Sequence, residues 1–261
     1  MKIYCLIENN ALSGEFFCEH GLSLFIDTGK YKILFDMGQS DAYIENARRL
    51  GLDLSSVDIA VLSHGHYDHG GGIKSFLEIN KKASVYISKH AFEPHYNGKR
   101  KYIGLDTTLM DSSRIIFTDN TVSIDTGITV FNCNDKKPLY DFGTFGQTVL
   151  KNDEYISEDF CHEQYLLITE NDKKILFSGC SHKGILNIAS WIEADIIVGG
   201  FHFSKMELGN ELKDYADTLG KFKADFYTCH CTGHEQYEFM KQFANNIKYI
   251  SSGDVIEIWG N

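Results

Sequence analysis

The chain has little of what a secreted, disordered or membrane-spanning protein needs. Only two of its 261 residues are proline, and no Gly/Ser-rich or Ser/Pro-rich run occurs, which argues against a long linker. No apolar stretch approaches the ~18 residues that span a bilayer, and MKIYCLIENN at the start is too briefly apolar for a signal peptide. The seven cysteines are scattered and lack CxxC spacing. We therefore expect mostly reduced thiols in a cytoplasmic protein.

Basic residues are also scarce. The chain has 25 Lys and Arg against 36 Asp and Glu, a formal net charge of −11. This balance disfavours a nucleic-acid partner, because phosphate backbones bind concentrated basic surfaces. The single basic cluster, 99–101, is more typical of a solvated loop than of a phosphate clamp, although it could contact an anionic small molecule. We expect a small-molecule substrate and no membrane partner, and the sequence leaves the oligomeric state open.

The chain is rich enough in apolar residues, at 43%, to form the core of one domain over residues 1–261. β-Branched and aromatic runs predict strands, and apolar residues at helical spacing predict helices between them. The order, several strands and then strands alternating with helices, occurs twice and predicts an α/β protein with two packed sheets and outer helices. Strands are predicted at 2–8, 22–28, 32–38, 58–63, 83–88, 114–119, 121–131, 164–170, 173–179, 195–200, 225–230 and 255–259, and helices at about 40–50, 73–80, 185–192, 207–222 and 234–244.

The stretch SHGHYDHGGG, residues 63–72, concentrates the polar chemistry of the chain. His64, His66, Asp68 and His69 directly follow the apolar strand 58–63 and precede three glycines. A buried strand that ends in a tight turn can direct several side chains at one point. Imidazole and carboxylate ligands suit zinc, iron or manganese, and two ions need about this many ligands from one segment. A polar loop that is histidine-rich by chance is the alternative.

The run VLSHGHYDHGGG resembles the HxHxDH motif of the metallo-beta-lactamase superfamily. The resemblance implies an αββα four-layer sandwich of two mixed sheets with outer helices. The segment at about 90–112 is polar and aromatic with weak periodicity, which by itself favours a loop or a lid over a site. The resemblance also implies that His64, His66 and a later histidine hold one ion, while Asp68, His69 and the last histidine hold the other. Four further stretches resemble a narrower group, the 7,8-dihydropterin-6-methyl-4-(β-D-ribofuranosyl)-aminobenzene-5'-phosphate synthases: GCSHKG, GGFHF, CHCTG and SSGDVIEIW.

The chain departs from that superfamily at one ligand position. Cys180 stands where a bridging aspartate is expected, and a thiolate can also bind or bridge zinc. His230 matches the last ligand position, and His182 is a further candidate ligand. His162 or Glu163 falls where the third histidine is expected, and either could be a ligand or part of a solvated polar pair. We expect one or two Zn²⁺ ions, with Fe or Mn as alternatives.

Other residues are candidates for the pocket wall. His202 follows the strand at 195–200 and is expected to line the pocket rather than to bind metal. His90, His95 and Tyr96 lie in the expected lid, where surface or substrate contact is more plausible than ligation. His20 and His234 are interpreted as ordinary polar residues. Four aromatic residues could stack on a heterocyclic substrate: Phe92, Tyr96, Tyr102 and Phe203.

Cys229 and Cys231 flank His230 in a predicted strand. Because side chains alternate along a strand, both thiols are expected to face away from His230. The default interpretation is that they are small buried hydrophobes, since CxC geometry in a strand suits a disulfide poorly.

These residues predict a metal-dependent hydrolase. A metal lowers the pKa of water towards neutrality, and Asp68, as the catalytic carboxylate, could orient that water and accept its proton. The substrate is expected to be a small anionic or heterocyclic molecule that carries a phosphate or a pterin. The alternatives are a non-haem iron redox enzyme and a non-catalytic ligand-binding protein, with nucleic-acid processing disfavoured by the acidic charge.

Overall fold

Eighteen strands and six α-helices occur in residues 1–258, which are the residues that the computed structural model describes. No helix in this range combines the length and the apolar composition of a transmembrane segment. The strands are β1 (Lys2–Ile7), β2 (Ser23–Asp27), β3 (Lys32–Phe35), β4 (Ile59–Val61), β5 (Ser84–Ser88), β6 (His95–Asn97), β7 (Lys101–Tyr102), β8 (Ile115–Thr118), β9 (Thr121–Asp125), β10 (Ile128–Phe131), β11 (Gln147–Lys151), β12 (Glu154–Ser157), β13 (Tyr165–Glu170), β14 (Lys173–Ser178), β15 (Ile196–Gly199), β16 (Asp225–Thr228), β17 (Ile247–Tyr249) and β18 (Val255–Glu257). The helices are α1 (Ala42–Arg49), α2 (Tyr67–Gly70), α3 (Ile73–Ile79), α4 (Ile185–Trp191), α5 (Asn210–Leu219) and α6 (His234–Met240).

Two seven-stranded sheets share one plan. The first has the order β18-β1-β2-β3-β4-β5-β8 and the second has the order β17-β16-β15-β14-β13-β10-β9. In the first sheet β3, β4, β5 and β8 are parallel, and in the second β14, β15, β16 and β17 are parallel. The remaining neighbours are antiparallel. Both sheets are therefore mixed, as the twofold order of elements in the sequence predicts.

Alternate side chains of each strand pack into different layers. Phe35 of β3 faces the second sheet, where its ring centroid lies 5.8 Å from that of Phe177 on β14. The preceding residue, Leu34, packs on the opposite face with Tyr43 of α1 and Phe76 of α3. Helices α4, α5 and α6 cover the outer face of the second sheet. The layers are helix, sheet, sheet and helix, which confirms the predicted αββα sandwich.

A third, four-stranded sheet was not predicted. Its order is β12-β11-β6-β7, so the segment at 90–112, expected to be a loop or lid, contributes two strands. In β6, His95 pairs with Val149 of β11 and is buried. The strands of this sheet are short and polar, with a burial pattern too irregular for a clear alternation. The pairing places His95 in the interior rather than on the surface.

Most other predicted elements are confirmed, with differences at their ends. The run 121–131 is a hairpin of β9 and β10 that turns at Gly127, whose φ is +80°. Helix α5 begins at Asn210 rather than near 207, and the strand predicted at 225–230 ends at Thr228. The last predicted strand corresponds to β18, and its final residue, Trp259, lies outside the described residues. Strands β11, β12 and β17 were not predicted.

The parallel strands of both sheets bring polar residues to one edge of the sandwich. The carboxyl ends of neighbouring parallel strands lie side by side, so residues that follow these strands converge. The residues concerned are Asp36 after β3, His64 after β4, Cys180 after β14, His202 after β15 and His230 after β16.

Gly65 lies where two backbone segments touch, and we expect Gly65→Ala to destabilise the fold. A Cβ at this position would lie 2.1 Å from the carbonyl oxygen of Ala91, so the backbone would have to move, at a cost of about 1–3 kcal/mol or more. Gly14→Ala is the matched control, because a Cβ at Gly14 meets nothing within 4 Å. Urea unfolding should show a lower midpoint for Gly65→Ala alone, and equal midpoints would contradict the expectation.

Candidate metal centre

Four groups of described residues bring potential metal ligands together at this edge. Within each group the ligand atoms lie within 4.8 Å of one another. Two of the groups contain all seven residues that the sequence analysis assigned to metal binding, and we call them the Asp68 group and the His64 group. The Asp68 group is Asp68, His69, Cys180 and His230; the His64 group is His64, His66 and His182; the other two are His66 with His95 and His162, and Cys180 with His202 and Cys231.

The Asp68 group has the spacing of a tetrahedral metal site. Nε2 of His69 lies 3.2 Å from Sγ of Cys180 and 3.2 Å from Nε2 of His230. Oδ2 of Asp68 lies 3.6 Å from Nε2 of His69 and 3.4 Å from Nε2 of His230. A tetrahedral zinc ion with bonds of about 2.0–2.3 Å separates its ligands by about 3.3–3.8 Å. The four side chains therefore fit one such ion with little rearrangement.

The His64 group presents three imidazoles whose Nε2 atoms lack hydrogen-bond partners among residues 1–258. The ring centroids of His64, His66 and His182 lie 4.5–5.0 Å apart. Nε2 of each ring is buried and has no hydrogen-bond partner in the part of the chain that the structure describes. Buried polar atoms are almost always paired, and three unpaired nitrogens that meet at one point fit a metal ion. His64 also links the two groups, with its ring centroid 4.1 Å from that of His69.

The buried carboxylate of Asp36 orients two of the candidate ligands. Its Oδ2 lies 2.6 Å from Nδ1 of His69 and accepts a 2.7 Å hydrogen bond from Ser63 Oγ. Ser63 Oγ lies 2.8 Å from Nδ1 of His64. Because Nδ1 of each imidazole donates, Nε2 keeps its lone pair for a cation, as in the carboxylate–histidine arrangements common at metal sites.

His230 is oriented from the first strand of the chain. Its Nδ1 lies 2.8 Å from Oδ1 of Asn9, and its backbone N–H donates to Oε2 of Glu8 at 2.9 Å. Sequence reasoning missed Glu8 and Asn9, and it also missed Asp36. All three follow an apolar strand, as His64 does, and that position is the signal that could have identified them.

Glu163 orients His182 and is not itself among the grouped ligands. Its Oε2 accepts the backbone N–H of His182 at 2.5 Å and lies 3.3 Å from Nδ1 of the same ring. Burial opposes ionisation of Glu163, but the interactions with His182 and Lys183 outweigh it and lower its pKa to about 2. The ionised carboxylate attracts the Nδ1 proton, so Nε2 of His182 is the nitrogen available to a metal.

His162 and His95 form a group with His66, but their ring nitrogens do not direct lone pairs at the centre of that group. The backbone N–H of Gly65 donates to Nδ1 of His162 at 2.8 Å. Burial and the neighbouring imidazoles hold the pKa of His162 well below its usual value, so the ring is neutral. Since Nδ1 accepts from Gly65, the proton belongs on Nε2, although that atom too is buried without a hydrogen-bond partner among residues 1–258. Both ring nitrogens of His95 face oxygen acceptors, Glu158 Oε2 at 2.8 Å and the His90 carbonyl at 3.3 Å. The third ligand beside His64 and His66 is therefore better supplied by His182.

Electrostatics favour the metal-binding form of His64, His66 and Asp68. For His69, burial opposes protonation, but the carboxylates of Asp36 and Asp68 outweigh it and raise the pKa to about 9, so a metal at His69 would have to displace a proton. Burial and then the neighbouring imidazoles hold the pKa values of His64 and His66 well below the usual range. Burial disfavours the charged form of Asp68, yet the nearby rings, His69 foremost, lower its pKa well below the usual carboxyl value. Burial raises the pKa of the Cys180 thiol. A thiolate at Cys180 therefore needs a neighbouring cation.

The backbone is strained at three residues within or beside the groups of candidate ligands. Ser181, His202 and His230 have φ values of +57°, +60° and +52°, a left-handed conformation that costs about 1–2 kcal/mol for a residue with a Cβ. Such strain persists where the surrounding structure fixes it, and it concentrates at functional sites.

Members of both groups line a cleft of about 130 Å³: Asp68, Cys180 and His230 of the Asp68 group, and His66 and His182 of the His64 group. His20 is at the rim of this cleft, with Nε2 3.3 Å from Oδ2 of Asp68, although the sequence analysis treated His20 as an ordinary polar residue. The walls include Asn97, Lys101, Gln147 and Lys205. Two cationic side chains therefore face the cleft of a protein whose net charge is negative.

The structure brings one of the three predicted substrate residues to this cleft. His202 lines it. His90 instead pairs with Glu93 at 2.7 Å. Tyr96 packs against Tyr102 and Tyr155, because His95 and Asn97 occupy the inner side of the same strand.

The aromatic residues at the site differ from those expected to stack on a substrate. Phe92 and Phe203 pack in the core, and Tyr102 packs on Tyr96. Phe160 stacks on His182 with ring centroids 4.6 Å apart, and Phe145 contacts His202 at 4.1 Å. Nothing in the sequence around either phenylalanine indicates this proximity.

The expected orientation of Cys231 is wrong. Strand β16 ends at Thr228, and residues 230–232 form a 3₁₀ turn, so strand alternation does not apply. Cys231 lines the same cleft as His230 and joins the group with Cys180 and His202. Cys229 is buried between the two sheets, as expected.

Comparisons with known proteins agree with the fold. Residues 17–152 match the family model of the metallo-beta-lactamase superfamily. The uncharacterized protein MJ0448 of Methanocaldococcus jannaschii is 32% identical, with 98% of this chain and 100% of the relative covered. The 7,8-dihydropterin-6-methyl-4-(beta-D-ribofuranosyl)-aminobenzene-5'-phosphate synthase of the same organism is 26% identical, with 98% and 96% covered.

Solved structures show the same architecture. The structure of Tm1679, described as a metal-dependent hydrolase of the beta-lactamase superfamily, matches with a TM-score of 0.82 at 29% identity and covers 99% of both chains. Zn²⁺-bound PqqB from Methylobacterium extorquens matches with a TM-score of 0.59 at 13% identity, covering 99% of this chain and 100% of PqqB, and shows the fold alone. The chain belongs to the metallo-beta-lactamase superfamily.

Proposed function

We propose that the protein is a metal-dependent hydrolase that acts on a small anionic substrate. One observation carries the proposal: two adjacent groups of ligand-type side chains, one of them with three unpartnered ring nitrogens among the described residues, have members that line one cleft. The His64 group would hold one divalent ion and the Asp68 group a second. When bound, such ions lower the pKa of water and polarise an oxygen of the substrate.

Asp68 is the side chain best placed to handle a proton. Its carboxylate is ionised over the physiological range, because the neighbouring imidazoles lower its pKa. It would orient the attacking water and accept its proton. His20 offers a path for that proton to solvent, because its Nε2 lies 3.3 Å from Asp68 Oδ2 and its side chain is 55% exposed.

The cleft walls support an anionic substrate. Lys101 and Lys205 lie at the cleft, and Asn97 and Gln147 add amide groups that can hydrogen-bond to a phosphate or carboxylate. Similarity to the Methanocaldococcus jannaschii synthase, whose name includes a phosphate, supports a phosphate-bearing ligand, and similarity to Tm1679, described as a metal-dependent hydrolase, supports the reaction. The cytoplasmic location, the absence of a nucleic-acid partner and the identity of the metal stay predictions.

Hydrolysis and its dependence on metal can be tested together. We expect the purified chain to contain divalent metal by elemental analysis and to hydrolyse bis-p-nitrophenyl phosphate faster than neutral p-nitrophenyl acetate. Chelation should reduce the phosphodiesterase rate by about a hundredfold or more, because water then keeps its ordinary pKa. Adding zinc, manganese or iron back should restore it.

The same samples distinguish the alternative functions. Iron with a visible absorption band and no hydrolysis would contradict the proposal in favour of redox chemistry. Full metal occupancy without turnover on phosphodiesters, thioesters and esters would contradict it in favour of a ligand-binding protein. A protein that stays metal-free after growth with ample zinc, iron and manganese would remove the basis of the proposal.

A further inference from the structure

Three soft or borderline ligands lie together outside the His64 group. Cys180, His202 and Cys231 follow the neighbouring parallel strands β14, β15 and β16. Their Sγ, ring nitrogen and Sγ atoms lie within 4.8 Å of one another. Both cysteines are free and buried, and all three residues line the cleft. The hydrolytic function proposed above uses only Cys180 of this set.

Two features around Cys180, His202 and Cys231 would not be required if these residues were close together only by chance. Nδ1 of His202 is buried and has no hydrogen-bond partner among residues 1–258, and the residue is held at φ +60°. Gly200 makes room for Cys231, because a Cβ at Gly200 would lie 2.4 Å from Cys231 Sγ. An unpaired buried nitrogen beside two thiols is costly unless a cation binds there.

Cys180 can serve two ions at once. Its sulfur lies within 4.8 Å of the ligand atoms of the Asp68 group, and also of those of His202 and Cys231. It is not a member of the His64 group. A thiolate has several lone pairs and can bridge metals, so the sulfur can contribute to a site on each side.

We propose that Cys180, His202 and Cys231 form a third metal site, selective for a thiophilic divalent cation such as zinc, with Cys180 bridging to the ion of the Asp68 group. Two thiolates and one imidazole are typical zinc ligands. Three protein ligands leave one position of a tetrahedral ion open, and all three residues line the cleft. Both sulfurs would bind as thiolates, so any thiol proton that the pair holds is released to solvent on binding.

Metal stoichiometry of the full chain tests the proposal. Each protein is saturated with zinc under reducing conditions, desalted and analysed for zinc per folded chain. We expect about three ions for the native chain and about two for each of Cys231→Ser, His202→Ala and Cys180→Ser, because each variant leaves the third site two ligands while the Asp68 group keeps at least three. Cys229→Ala is the matched control and should match the native chain, because Cys229 is buried between the sheets.

Cobalt substitution gives a second readout that does not depend on activity. The near-ultraviolet thiolate-to-cobalt absorption should fall in Cys231→Ser and stay unchanged in Cys229→Ala. His202→Ala decides the question if Cys231→Ser does not fold.

The outcomes separate this proposal from the hydrolase proposal. Two ions in the native chain and the same two in Cys231→Ser and His202→Ala would overturn the third site and leave the two-ion centre standing. A Cys180–Cys231 disulfide that persists under reducing conditions would also overturn it. A native chain without metal would overturn both proposals.

Discussion

His66→Ala is expected to purify with about one metal ion fewer than the native chain and with at most about a thousandth of its kcat/KM. The Nε2 atom of His66 is one of three buried ring nitrogens that converge without hydrogen-bond partners in the described chain. Removing it leaves two protein ligands in the His64 group, fewer than the three that catalytic zinc sites use. Elemental analysis and initial rates on the same sample, with circular dichroism to check folding, measure both effects.

Two further histidines serve as matched variants for this test. His182→Ala should lose the same ion, because Glu163 directs the Nε2 lone pair of His182 inward. His162→Ala removes an equally buried imidazole but should keep the ion, because Gly65 N–H donates to Nδ1 of His162 and the ring proton is on Nε2. Full metal content in His66→Ala would contradict the metal centre. Loss of metal in His162→Ala but not in His182→Ala would reassign the third ligand.

The local part of the centre could be predicted because its residues are close in sequence. His64, His66, Asp68 and His69 lie in one turn after one strand, so spacing alone indicates convergence. Cys180, His182 and His230 come from the other sheet, and only the resemblance to a known superfamily indicated them. Residue types at distant positions do not specify which sheet edges meet.

The remaining errors arise where a residue's role depends on its hydrogen-bond partners or on where a strand ends. The choice between His162 and His182 as the third ligand depends on which ring nitrogen is free to face a metal. Contacts with Gly65 decide this for His162, and contacts with Glu163 decide it for His182. Cys231 was placed by strand alternation, but β16 ends three residues earlier. The small third sheet was missed because its strands are short and carry few apolar residues, which gives no periodic signal.

The orientation of the candidate ligands also depends on residues that no ligand motif includes. Glu8, Asn9 and Asp36 each follow an apolar strand and hold an imidazole or its backbone. Outer partners of this kind fix which nitrogen faces a metal. The centre therefore depends on strand ends from both sheets, and the HxHxDH stretch supplies four of the seven ligands that the two main groups contain.

Asp68→Asn is expected to lower kcat by about 10²–10⁴-fold and to change KM by less than about threefold. The substitution preserves the shape of the side chain but removes the negative charge that accepts a proton and that balances the nearby rings of His69 and His230. Rates should be measured with excess zinc and with metal content determined on the same sample, so that loss of an ion from the Asp68 group is separated from loss of the base.

His20→Ala is the matched variant for Asp68→Asn. It removes the exposed ring 3.3 Å from Asp68 Oδ2 and leaves the carboxylate in place, so we expect a loss in kcat of less than about tenfold. If Asp68→Asn changed KM alone, Asp68 would contact the substrate and another group would accept the proton. If both variants lost kcat equally at full metal content, His20 would carry the essential proton transfer. The difference between these two variants thus locates the base on the carboxylate or on the ring beside it.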